Sequence, residues 1–263
     1  MQIKAKKSLG QNFLIDNDII KKIIDIGNIN CNSEILEIGP GTGNLTNYIL
    51  KKKPKIVYVI EKDNNLSIFL EEKFKNKINI INKDVLNVSE KLISKEKLIV
   101  FGNLPYNIST EILSKWIINL DKNFWFNKLI LMFQKEVADR IIAKSNTSNY
   151  GRLSILSNWK LNVRKIIDIK PNSFFPKPKI DSSLLIFSPK EKFFEIKNPK
   201  NLEMVTRIFF NQRRKMIKKP FNQIFNNSKK VVEKLKINLN LRPQNLSPET
   251  YLEITKEYEA LRS

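Results

Sequence analysis

Between residues 34 and 103 the chain repeats one pattern: a short apolar run, a polar or glycine-bearing junction, then a stretch whose apolar residues recur at helical spacing. Runs this short read as buried strands, and their alternation with helices calls for a mostly parallel sheet covered on both faces. The runs fall at residues 34–38, 56–60, 78–81, 97–102 and 129–133. Helices are expected from Asp16, as N-cap, through Ile26 with Gly27 as the stop, from Asn44 to about Lys52, and over 135–143. Two more strands are expected near 153–159 and 183–187, flanking the proline-marked loop 171–178. After Pro199 strand signals cease, glycine is absent and apolar residues keep helical spacing. The expected architecture is a doubly wound, Rossmann-like α/β domain over 1–190 and a small all-helical domain of three to five helices over 191–263.

Composition narrows the chemistry. There is no histidine, which excludes Ser-His-Asp and Cys-His catalysis, a histidine base and a histidine-bound metal. The single cysteine, Cys31, excludes an internal disulfide and a cysteine-rich metal site, and fits a reducing cytoplasm. No metal is expected. The formal charge is +21, with 47 Lys and Arg against 26 Asp and Glu, which points to a polyanionic partner. Nucleic acid fits better than membrane, since no apolar stretch approaches the ~20 residues that span a bilayer. The basic start at Lys4, Lys6 and Lys7 has no apolar core of a signal peptide and reads as a basic arm. From residue 207 to 219 six cations (Arg207, Arg213, Arg214, Lys215, Lys218 and Lys219) meet no acid. Phe209, Phe210, Met216 and Ile217 interleave with them, as on one helix with a packed side and a phosphate-binding side. Arg140, Lys144 and Arg152 are further candidates for an RNA path.

Two junctions carry the site. After the first strand comes Gly39-Pro40-Gly41-Thr42-Gly43, opening a helix. Glycines permit a tight turn and close approach of a ligand to free N–H groups. The Gly-x-Gly-x-Gly spacing with Glu37 two residues upstream is typical of S-adenosylmethionine-binding folds, and a P-loop is excluded for want of Gly-Lys-Ser/Thr. Glu61 and Asp84 end the next two strands, where carboxylates can accept from ribose hydroxyls and from an adenine amine. The second junction is Asn103-Leu104-Pro105-Tyr106, directly after a strand. A carboxamide, backbone carbonyls, a rigid proline and an aromatic face suit a planar ring bearing an exocyclic amine.

The chain resembles the ribosomal RNA adenine N6,N6-dimethyltransferases, and within them the small-subunit branch. The resemblance rests on Gly10-Gln11-Asn12-Phe13-Leu14, 37–43, Phe101-Gly102-Asn103-Leu104-Pro105-Tyr106-Asn107-Ile108-Ser109, Gln134-Lys135-Glu136-Val137, Tyr150-Gly151-Arg152-Leu153-Ser154 and Phe210-Asn211-Gln212-Arg213-Arg214-Lys215, in that order. It implies that Asn12, Leu14, Gly39, Glu61, Asp84 and Asn103 hold S-adenosylmethionine beside Gly41 and Gly43. It also implies that Phe174 covers the face of the target base opposite Tyr106, and that the partner is small-subunit ribosomal RNA or the immature subunit. One departure is Lys177, which stands where many relatives carry a third proline.

The residues suit this chemistry. The adenine N6 lone pair is delocalised into the ring, and acceptors on its two N–H groups, at Asn103 Oδ1 and the Leu104 carbonyl, favour a pyramidal nitrogen aimed at a methyl donor. Pro105 disfavours the helical region for Leu104. Tyr106 offers a stacking face worth roughly 1–3 kcal/mol. No strong base is needed, because the methylated ammonium loses its proton readily. Nothing demands more than a monomer. Two other readings stand beside this one: a large-subunit RNA dimethyltransferase of the macrolide-resistance type, and a mainly non-catalytic ribosome-assembly factor.

Overall fold

The computed structural model describes residues 5, 6 and 9–262; Lys4 and Lys7 of the expected basic arm lie outside the described residues. The chain divides into two compact units. The first comprises residues up to Lys115, Leu120–Ala138 and Arg164–Pro189; the second comprises Trp116–Asn119, Asp139–Val163 and Lys190 onward. The second unit therefore takes in 139–163 as well as the helical tail.

In the first unit the five expected strands form as β2 (Glu34–Ile38), β3 (Ile56–Ile60), β4 (Asn79–Ile81), β5 (Leu98–Asn103) and β6 (Phe126–Gln134), preceded by an unexpected two-residue strand, β1 (Phe13–Leu14). Later in the chain come β7 (Leu161–Ile169), β8 (Phe174–Phe175) and β9 (Ser182–Pro189). The main sheet has the order β4-β3-β2-β5-β6-β9-β7. The pairs from β4 through β6 are parallel, and β6 pairs with β9 antiparallel. All five residues of β2 are buried, as a central strand covered on both faces requires. The chain runs outward from β2 through β3 to β4, then returns to β5 on the other side of β2. That reversal opens a crevice at the carboxyl ends of β2 and β5, where open α/β sheets bind ligands. Both motif junctions sit there.

Helix α1 (Asn17–Gly27) starts as its cap predicts, with the Asp16 carboxylate accepting from the N–H groups of Asp18 and Ile19. Its stop differs by one residue: Gly27 is still helical and Asn28 takes the left-handed turn at φ 51°. Gly27 is needed for closeness instead, since a Cβ there would lie 2.6 Å from Phe101 Cζ in the core. Helices α2 (Asn44–Lys51) and α3 (Asn64–Phe74) follow β2 and β3. α4 (Ser109–Asn119) and α5 (Lys135–Ile141) follow β5 and β6.

The strand expected near 153–159 is instead α6 (Arg152–Lys160), and the strand begins only afterwards, at Leu161. A short apolar run does not distinguish a buried strand from a buried helix. Ser154 decides the outcome here: its Oγ accepts from Gly151 N–H at 3.1 Å and donates to Arg140 O at 2.6 Å, fixing the first turn. Six of the nine residues are buried.

The second unit adds α7 (Pro199–Phe210), α8 (Lys218–Phe225), α9 (Lys229–Leu235) and α10 (Pro248–Ala260), as the helical tail predicts. Phe209 and Tyr251 meet edge to face with centroids 5.5 Å apart, and Phe210 lies 5.6 Å from the same tyrosine. The buried Glu259 carboxylate accepts from the N–H groups of Lys197 and Asn198 and from Asn201 Nδ2, all within 2.9 Å, and so anchors the start of α7. The basic stretch 207–219 is not one helix. α7 ends at Phe210, residues 211–217 form turns, and α8 begins at Lys218. After Phe210 no apolar residue recurs until Met216, so the packed face lapses for more than a turn. Among the described residues, no helix is long and apolar enough to cross a membrane.

Candidate active site

A cavity of about 180 Å³ opens in the first unit, far more than the ~10–15 Å³ that admits one water. Residues 39–42 of the glycine loop, Glu61, Asp84, the segment from Leu9 to Leu14 and Asn103-Leu104-Pro105-Tyr106 all line it. The expected cofactor residues Asn12, Leu14, Gly39, Gly41, Glu61, Asp84 and Asn103 thus face one space. Gly43, also expected at the cofactor, does not line it: it sits against Phe74 and Leu70, where a Cβ would collide with Phe74 Cε2.

The loop after β2 turns by left-handed backbone at Gly39, Gly41 and Gly43, with φ of 64°, 58° and 74°. Gly41 is doubly constrained: besides its φ, a Cβ there would lie 2.6 Å from Phe13 Cδ1. Gly41 N–H donates to Glu61 Oε2 at 3.3 Å, and Asp63 N–H donates to Oε1 at 2.9 Å. Both Glu61 oxygens are therefore fixed with lone pairs to spare. Burial raises the Glu61 pKa, and the two backbone donors oppose that rise. Deeper still, Glu37 accepts from Thr46 Oγ1 at 2.7 Å, and burial pushes its pKa up to about 7. Asp84 plays two parts at the end of β4. Oδ1 accepts from Leu86 N–H at 2.9 Å and Oδ2 pairs with Lys62 at 2.8 Å, a contact that holds its carboxyl below the usual range.

At the second junction, Asn103 Nδ2 donates to Asn12 O at 2.6 Å. This fixes the amide orientation and leaves Oδ1 as the acceptor. Leu104 buries its side chain, and Ile108 N–H closes a turn on Pro105 O at 3.1 Å. Tyr106 is held by its hydroxyl, 2.5 Å from Ser182 Oγ. Burial raises the phenol pKa, so Tyr106 stays neutral.

Phe174 does not join this group. It is buried in the hydrophobic core, paired with Leu14, and does not line the cavity. Its neighbour Phe175 is the exposed one.

Some residues of the site carried little signal in the sequence. Asp63, which follows Glu61 by two, accepts from Lys6 Nζ at 2.8 Å and Gln11 Nε2 at 3.2 Å, tying the N-terminal segment over the cavity edge. Lys115 Nζ donates to the carbonyls of Leu86 and Val88 at 3.0 and 2.9 Å, bracing the turn after Asp84. Ser182 stands in a serine pair that opens β9. For Lys115 and Ser182 the function depends on partners far away in sequence, which no local pattern reports.

The candidate RNA contacts of the second unit are mixed. Arg140, Lys144, Arg207, Arg214, Lys215, Lys218 and Lys219 are exposed. Arg213 is not: its guanidinium donates to Gln244 Oε1 and to the carbonyls of Thr147 and Ser148, so it holds loops together. Arg152 pairs with Glu203 at 3.6 Å.

The model of the family described as ribosomal RNA adenine dimethylase matches residues 2–260. A curated relative from Pelagibacter ubique, ribosomal RNA small subunit methyltransferase A, is 70% identical over 262 residues, covering all of both chains. A protein of the same name from a Wolbachia of Drosophila simulans is 40% identical, over 98% of this chain and 95% of that one. Among solved structures, a dimethyladenosine transferase from Plasmodium falciparum superposes with a TM-score of 0.80 at 27% identity, over 94% of this chain and 98% of the other. The 23S rRNA methyltransferase ErmE shares the fold, with a TM-score of 0.68 at 21% identity, over 94% of this chain and 100% of the other.

Proposed function

The chain belongs to the ribosomal RNA adenine dimethylase family, and we propose that it transfers methyl groups from S-adenosylmethionine to N6 of adenosines in small-subunit ribosomal RNA, two per base, acting on the immature subunit. The observation that carries this reading is the Asn103 carboxamide. Its Nδ2 is committed to Asn12 O at 2.6 Å, so its oxygen is the atom left over to accept from an amine N–H at this cavity-lining residue.

The donor side of the cavity fits S-adenosylmethionine. Glu61 would accept from the ribose hydroxyls with the lone pairs that Gly41 and Asp63 leave over. Asp84 would accept from the adenine amine, and Gly39, Asn12 and Leu14 would border the rest. When bound, S-adenosylmethionine supplies an electrophilic methyl on a sulfonium. Asn103 and the Leu104 carbonyl orient the acceptor amine, and Tyr106, pinned by Ser182, stacks the base. Such alignment lowers the barrier by several kcal/mol without a side-chain base. Methylation at N6 requires the base to be unstacked, and the exposed cations Arg214 and Lys215 would bind phosphates of the same RNA.

The small-subunit substrate is favoured over large-subunit RNA because the relatives at 70% and 40% identity are small-subunit enzymes, whereas the large-subunit enzyme is matched at 21%. Radiolabelled transfer to unmethylated small subunits, with isolated large-subunit RNA as the competing acceptor, tests this. Preferential labelling of the large-subunit RNA would overturn it. A separate test bears on an assembly role: a Glu61→Ala protein that still binds immature subunits and rescues their maturation would make catalysis secondary. The same reading makes the protein a cytoplasmic monomer, which fractionation and sedimentation test.

A further inference from the structure

The ribbon of β1 and β8 sorts two adjacent phenylalanines. Antiparallel partners carry their side chains on one face, and successive residues alternate faces. Leu14 pairs with Phe174, and both are buried in the core. Phe13 pairs with Phe175, so these two share the other face. Phe13 lies against Gly41 and lines the cavity. Phe175, one strand further out, is 63% exposed. Ile15 continues the ribbon, its N–H donating to Ser173 O at 2.9 Å; alternation puts it on the Phe13 face, where it is also exposed.

Leaving a phenylalanine in water forgoes the gain of burying it, so folding does not account for Phe175 at this place. Its surroundings suit one kind of occupant. The loop that follows Phe175 exposes Lys177 and Lys179, and the nearest acid after them, Asp181, is paired with Lys170. An exposed ring beside exposed cations is the platform on which single-stranded nucleic acid stacks its bases. Phe175 does not line the cavity, so a base stacked on it sits outside, next to the one inside.

We propose that Phe175 is the stacking platform for the nucleobase flanking the acceptor adenosine, with Lys177 and Lys179 on its phosphates. The proposal rests on the reading of the cavity as an RNA methyl-transfer site and adds a second nucleotide subsite to it.

A Phe175→Trp variant supplies the probe, since Trp116, Trp125 and Trp159 are all buried. Single-stranded oligoadenylate should quench the emission of the variant and leave that of the parent protein nearly unchanged. In steady-state transfer to unmethylated small subunits, Phe175→Ala should raise KM about tenfold, from the loss of one stacked base. Its cofactor affinity and its rate at saturating RNA should stay close to those of the parent, and Phe175→Tyr should restore KM. An unquenched indole, an unchanged KM, or a cofactor affinity that falls in step with KM would overturn the proposal. So would an effect of Phe175→Ala confined to self-association, which would make Phe175 a contact between copies. Absence of transfer by the parent protein would instead sink the methyl-transfer reading, because the quenching measurement requires no turnover.

Discussion

Around the cavity of the first unit, polar side chains are buried or half-buried and each is tied to backbone: Glu61 to Gly41 and Asp63, Asp84 to Leu86, Asn103 to Asn12. In the turns at residues 211–217 of the second unit, Arg214 and Lys215 stand in solvent, and only Arg213 is fastened. The first arrangement has already met its ordering cost on folding, so each group acts at one geometry. The second acts through charge, with little dependence on geometry. Loss of one group in the cavity should therefore cost far more than loss of one cation on the turns.

The largest contrast is expected at Asn103. Asn103→Ala should reduce methyl transfer by roughly 10²–10³, the range seen when a preorganised polar group at a reacting centre is removed. Calorimetric cofactor affinity should fall far less than the rate, and equal activity of the variant would break the distinction between the regions.

Glu37 comes next, read as stability. Its folded pKa of about 7 lies above the ordinary 4.5, because burial disfavours the charged form. The folded state therefore holds a proton that the unfolded chain has released, and stability falls as pH rises from about 4.5 through 7. Glu37→Gln should remove that part of the slope, leaving the variant more stable than the parent by up to about 3 kcal/mol above pH 7 and no more stable near pH 4. Denaturant titrations across pH check this, and parallel curves would contradict it.

Lys115→Met should raise the cofactor dissociation constant about tenfold, as expected when the part-buried carbonyls of Leu86 and Val88 lose a charged donor. Its transfer rate at saturating cofactor should be nearly unaffected. An unchanged dissociation constant would show that the turn after Asp84 holds its shape unaided.

The smallest effect belongs to the turns. Replacing Arg214 and Lys215 together by Ala should lower the slope of log affinity against log salt by about 1.4, at ~0.7 per single-strand phosphate contact. A slope equal to that of the parent would remove the turns from the RNA interface.

The sequence made the cavity legible because its signals are local. A strand, a glycine loop and an acid at a strand end each show within a few residues, and 34–43, Glu61, Asp84 and 103–106 all lie where the pattern of α/β junctions puts them. What was not legible depends on distant partners. Whether Phe174 or Phe175 faces the core is decided by pairing with Phe13 and Leu14, some 160 residues earlier in the chain. Arg213 looked like its neighbours until its carbonyl partners at Thr147 and Ser148 came within reach. Residues 153–159 looked like a strand because burial of polar and apolar residues alike, Ser154 and Ser157 with Ile155, Leu156 and Trp159, erases the helical period of the pattern.

The central claim is that Asn103 and the cavity beside it direct methyl transfer to adenine N6. The most direct test is nucleoside mass analysis of small-subunit RNA after incubation of unmethylated subunits with the protein and S-adenosylmethionine, run beside Asn103→Ala. The account predicts N6,N6-dimethyladenosine with the parent protein and almost none with the variant. Unmodified RNA, methyl groups on another atom or base, or equal product from both proteins would contradict it.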